Sequence, residues 1–187
     1  MHGYGLGTTG FTTSLIIGVY LIAMIAGALL FAPVARAVSP RRTLVGASVL
    51  VAAGFLLLIP LNGAYASVTA CMVVVGLGSG ALVAALPAAA AAAAPASQTG
   101  VATGLTNSVK TVGGAIASAL FGLALVQGAS TAPVSPFAGY VTVWAVCAGT
   151  ALAAALLLLL VVPRDAFTDA SAPVPPARTG TPRRQPR

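Results

Sequence analysis

Apolar residues fill this chain in long blocks broken by short polar turns. The spacing predicts five helices, over Thr12–Ala35, Thr43–Leu61, Ser67–Ala94, Gly100–Val126 and Tyr140–Val162. Each block falls near the roughly 17 to 25 residues that cross a bilayer, and the third is long enough to tilt or project. Ala, Leu and Val runs of this length read as helices, because barrel strands alternate over about ten residues. Helices also satisfy their own backbone groups in hydrocarbon. Turn chemistry separates the blocks: Ser39-Pro40, then Pro60-Leu61-Asn62-Gly63, then Pro95 to Gln98, then Gln127 to Gly139 with Pro133 and Pro136. From Pro163 the composition changes to Pro, Thr, Ser and Arg. Residues 163–187 therefore carry too little apolar mass to bury and are expected to form a disordered tail.

The charge pattern sharpens this picture. No acidic residue precedes Asp165, and the only lysine or arginine residues before Pro163 are Arg36, Arg41, Arg42 and Lys110. A soluble domain carries about 25% charged residues; here the fraction is 6%, so the expected solvent is the lipid bilayer. The net charge of +7 does not indicate nucleic acid, because no basic, aromatic-studded face tracks phosphates. If the five helices alternate, Arg36, Arg41, Arg42 and the tail arginines share one side, and the opposite loops hold no lysine or arginine. The positive-inside rule then puts the N-terminus outside and the tail in the cytoplasm of a plasma-membrane protein. The tail arginines either meet anionic headgroups or are simply solvated. The opening MHGYGLGTTG lacks the basic start of a secretory signal, so no cleavage is expected.

Chemistry is sparse. The membrane part has no Asp or Glu, His2 is the sole histidine, and Cys71 and Cys147 lie apart in apolar stretches. Nothing here makes an acid/base pair, a nucleophile with its base, a metal cluster or a cofactor site, and no enzyme is expected. The fourth helix is the informative one. At 100° per residue, Thr103, Asn107, Lys110, Thr111, Gly114 and Ser118 share one face, with Gly100 and Gly104 beside it. Val101, Leu105, Val109, Val112, Ile116, Leu120 and Leu123 take the other. The polar face is expected against protein or a water-filled path. Lys110 there costs about 2.5–3.5 kcal/mol if it meets hydrocarbon near the helix centre. Two ways out stay open: a pathway for polar groups with Thr103, Asn107 and Lys110 along it, or snorkelling to the cytoplasmic boundary.

Glycines point to helix packing. Gly76-Leu77-Gly78-Ser79-Gly80 lacks a preceding strand, so it is no phosphate loop. Gly76 with Gly80, Gly100 with Gly104, and the ridge Gly114, Ser118, Gly122 have the small-xxx-small spacing that lets membrane helices approach closely. Pro87 interrupts the third helix and is expected to kink or loosen it.

The stretch from Ala84 to Ser118 resembles the major facilitator superfamily, especially bacterial multidrug-type exporters of the 14-helix proton-antiporter group. The likeness rests on a Leu86-Pro87 helix element, a Pro95-x-x-x-Thr99-Gly100 turn, and a following helix with Gly104, Asn107 or Thr106, Lys110 and Gly113-Gly114. The segment from Ala32 to Leu44, with Arg36, Arg41 and Arg42, is similar to the second-half copy of the family's cytoplasmic loop, and His2-Gly3-Tyr4-Gly5 resembles the outer segment before it. Arg36 stands where the family often has an acid, Ser39 where it has glycine, and Lys110 where it has arginine, losing the bidentate fork. The resemblance implies an all-α fold like the last five helices of a two-bundle transporter, with the first bundle and one further helix to be supplied as a partner. It implies export of small molecules by alternating access about a midplane site. The proton-coupling carboxylates of such exporters have no counterpart in this membrane part, so the chain alone is expected to be inactive. Apart from the resemblance, the residues also fit a non-transporting membrane protein that associates with partner helices, or a channel or permease subunit. The substrate is not legible; Thr103, Thr106, Asn107, Tyr20 and Trp144 are the candidate contacts.

Overall fold

The computed structural model describes residues 10–95, 97–126 and 137–161 of the chain. Five helices make up its regular structure: α1 Gly10–Ala37, α2 Pro40–Leu58, α3 Tyr65–Ala93, α4 Thr99–Val126 and α5 Phe137–Leu160. All five are long and apolar enough to cross a membrane, and no strand occurs among the described residues. The segment His2–Gly5, most of the fourth loop and the tail expected over 163–187 lie outside the described residues.

Hydropathy alone misplaces helix ends, and α2 shows why. The apolar pattern starts it at Thr43, whereas it starts at Pro40. Ser39 is the cap, its hydroxyl accepting a bond from the Arg42 backbone N–H at 3.3 Å, and Pro40 occupies the first helical position, where no N–H is needed. At the other end, Pro60 and the Asn62 amide, which donates to the Ile59 carbonyl at 2.6 Å, close α2 three residues before Leu61. α1, α3 and α5 likewise start two or three residues before their apolar runs. α1 continues through Pro33, and α3 through Pro87, each losing one backbone bond.

Close approaches at glycine set the arrangement. A Cβ on Gly80 would strike the Met24 carbonyl, one on Gly76 would lie 2.7 Å from the Tyr20 carbonyl, and one on Gly27 would strike the Leu77 backbone. From the Tyr20–Gly76 to the Met24–Gly80 approach the residue numbers rise together, so α1 and α3 run parallel. On the other face of α3, a Cβ on Gly78 would lie 2.7 Å from the Ala47 carbonyl, and one on Gly54 would lie 3.3 Å from the Cys71 carbonyl. Here the numbers run in opposition, so α2 is antiparallel to α3. The run from Gly76 to Gly80 is thus two interleaved packing ridges: Gly76 and Gly80 toward α1, Gly78 toward α2. α3 is wedged between α1 and α2, α2 also packs on α5, and α4 touches α3 and α5 more lightly. The core follows from this closeness. It is built largely of small side chains, among them Ala23, Ala47, Ser48, Ala52, Cys71, Ala85, Ala148 and Ala155, with Leu44, Val51, Leu58 and Val75 filling between. Buried Ser48 donates its hydroxyl to the Leu44 carbonyl at 3.0 Å, so no lone polar group remains there.

Candidate functional site

The polar stripe of α4 is held on a helix with no buried residue. Four hydroxyls on the first half of α4 are satisfied locally. Thr103 Oγ1 donates to the Thr99 carbonyl at 3.0 Å, Thr106 Oγ1 to Ala102 at 2.8 Å, Ser108 Oγ to Gly104 at 3.1 Å and Thr111 Oγ1 to Asn107 at 2.9 Å. Such back-bonding lets hydroxyls sit in a low-dielectric setting without an outside partner. Asn107 and Lys110 differ: both side chains are exposed and have no hydrogen-bond or ionic partner among the described residues. Thr103 is half-buried.

Depth matters for Lys110. α4 spans 28 residues, about 42 Å at 1.5 Å per residue. Its midpoint falls between Val112 and Gly113, and Lys110 lies about 4 Å from it along the axis. From the Thr99 end the distance along the axis is about 16 Å. The opposite face is exposed as well: Val101, Leu105, Val109, Val112, Ile116, Leu120 and Leu123 stand clear of the bundle. Apart from half-buried Thr103, the polar stripe is exposed within the chain.

The small residues of α4 are uncovered too. A Cβ on Gly100, Gly104, Gly114 or Gly122 would meet nothing within 4 Å, and Ser118 is exposed. The other candidate contacts lie apart. Tyr20 lines a small apolar cleft with Ile16, Phe55, Met72 and Ser79. Trp144 joins Phe137 and Tyr140 in an aromatic group at the start of α5, with ring centroids 6.3 Å apart, the composition found at a membrane–water boundary.

At the other end of α5 lies a contact that the sequence did not reveal. Arg41 Nε donates to the Leu158 carbonyl at 3.1 Å, and Nη2 donates to the Leu159 carbonyl. The last turn of a helix leaves carbonyls without backbone donors and carries partial negative charge. One planar guanidinium answers both needs. Of the three turn arginines, Arg36 and Arg42 are exposed and Arg41 is half-buried. Nothing in the residue order marks which of Arg41 and Arg42 turns toward α5, because that depends on the phase of α2 set by the Ser39 cap. The contact also puts the α1–α2 turn and the end of α5 at the same end of the bundle, as an alternating path of five crossings requires.

Five membrane-length helices, with α3 packed on α1 and α2 through glycines, thus carry an exposed Asn107 and Lys110 near the middle of α4. A family model described as Major Facilitator Superfamily matches residues 2–185. The chain belongs to that superfamily. No curated protein and no solved structure is similar enough to match. Major Facilitator Superfamily members are membrane transporters, so the general class of this chain's function is transport across a bilayer. Its helices are accordingly those of a multi-pass membrane protein.

Proposed function

We propose that the chain forms part of a small-molecule exporter in the plasma membrane, with the polar stripe of α4 lining the substrate path. The observation that carries this reading is the place of Lys110: a lone ammonium near the middle of a membrane-length helix, on the same face as Thr103 and Asn107. Hydrocarbon penalises an unpaired charge, so the stripe belongs against water or against further helices. Export by alternating access follows from the resemblance to multidrug-type members of the superfamily, in which two bundles rock about a midplane site. The uncovered glycines Gly100, Gly104 and Gly114 provide a close-packing surface for the helices that complete such a path. The membrane part brings no carboxylate of its own, so coupling to protons rests on those partner helices, and the chain alone is inactive. The arginine turn faces the cytoplasm by the positive-inside rule.

Thiol accessibility tests the path directly. In a background with Cys71 and Cys147 replaced by alanine, Lys110→Cys is expected to react with a water-soluble maleimide, and Leu105→Cys, on the opposite face, to react at least tenfold more slowly. Failure of Lys110→Cys to react in any transport state, or equal reaction at both positions, would remove Lys110 from the path.

A further inference from the structure

We propose that the crevice between α1, α2 and α3 at the arginine end holds one acyl chain of an anionic membrane phospholipid, with the lipid phosphate on Arg42. The crevice follows from the topology. α1 and α2 are joined by a short turn and each packs on α3, yet they barely touch one another. They diverge from the turn and leave a cleft of about 390 Å³, floored by Leu77 of α3, within the range of ordinary ligand pockets. Along α1 the lining runs from Gly27 to Val38, about 16 Å at 1.5 Å per residue. That is close to half of the roughly 30 Å hydrocarbon core, so the cleft is one leaflet deep. Its walls are almost wholly apolar, and a polar ligand would leave its own groups unsatisfied there. Gly46 of α2 contributes an open wall, since a Cβ on it would meet nothing within 4 Å.

The mouth supplies the charge. Arg42 lines the cleft, is exposed, and its guanidinium has no partner among the described residues. Arg41 next to it is committed to the end of α5. No acidic residue precedes Asp165 in the sequence, so no membrane helix of this chain can neutralise Arg42. A phosphodiester at the headgroup level does so with its acyl chain already in the right leaflet. The inference is independent of transport and of what the chain transports.

The test uses the full chain in lipid nanodiscs and dioleoyl phosphatidylglycerol as the probe, read by native mass spectrometry. Phosphatidylglycerol is expected to stay bound at least fivefold more strongly than dioleoyl phosphatidylcholine. Arg42→Gln should weaken it about fivefold, and Arg42→Lys should restore most of the loss. Gly46→Leu fills the cleft from a position without close neighbours and is a better helix former, so it should fold and lose the bound lipid. Circular dichroism on each variant confirms that the helices remain. Retention of phosphatidylglycerol by Gly46→Leu would show attraction to surface arginines alone and overturn the acyl-chain site. Equal retention of the two lipids, or no retained lipid in the unmodified chain, would overturn the proposal altogether and leave the cleft to a protein segment.

Discussion

Gly80→Val is expected to force α1 away from α3 and to destabilise the bundle by about 3 kcal/mol, the upper end of ordinary overpacking. The obstacle is what sets the size. A Cβ at this position would strike the Met24 backbone carbonyl and come within 3.0 Å of the Ala28 nitrogen, and backbone in a helix cannot rotate aside as a side chain does. Thermal unfolding in detergent should show the midpoint fall by roughly 6–12 °C. Gly104→Ala is the control. It has the same sequence spacing, but a Cβ there meets nothing within 4 Å, so the chain alone should be unchanged or gain up to about 1 kcal/mol of helix propensity. Equal losses in both variants would mean that the α1–α3 ridge is not the structural seam described above.

Arg41→Ala carries the second large effect. It removes two bonds from a charged donor to the Leu158 and Leu159 carbonyls, each of a kind worth about 1.5–3 kcal/mol when well shielded. Arg41 is half-buried, so solvent screens part of this, and about 2 kcal/mol is expected for the pair. The end of α5 should fray, with faster protease cleavage after Leu157 and a midpoint lower by roughly 4–8 °C. Arg41→Lys should recover less than half, because one ammonium cannot present the guanidinium's fork to two carbonyls. Arg36→Ala, at an exposed position on the same turn, should have little effect.

These two variants also show what the amino-acid order reveals and where it stops. The existence of five apolar crossings is legible from composition and run length, since nothing else could shield blocks of Ala, Val and Leu without charged neighbours. The ends of the helices are less so. α2 begins at Pro40 because Ser39 caps it, a local hydrogen-bond effect that hydropathy does not register. Small-xxx-small spacing identifies glycines able to pack but not the ones that have partners. Gly76 and Gly80 lie against α1, whereas Gly100, Gly104, Gly114 and Gly122 meet no helix of this chain. The same limit applies to the α4 stripe. Helical periodicity groups Thr103, Asn107 and Lys110 on one face, but what that face meets depends on helices that periodicity within α4 cannot specify. The Arg41 clamp was invisible for a related reason: it joins residues 117 and 118 positions apart, and only the assembled bundle brings them together.

The threading of the chain is most directly tested by labelling single cysteines in intact cells with a membrane-impermeant maleimide, in the Cys71→Ala, Cys147→Ala background. Gly63→Cys, between α2 and α3, is expected to label from outside. Val38→Cys and Val161→Cys, beside the arginine turn and the end of α5, should label only after the membrane is opened. Labelling of Val38→Cys in intact cells, or opposite-sided behaviour of Val38→Cys and Val161→Cys, would contradict five alternating crossings with the arginine end in the cytoplasm.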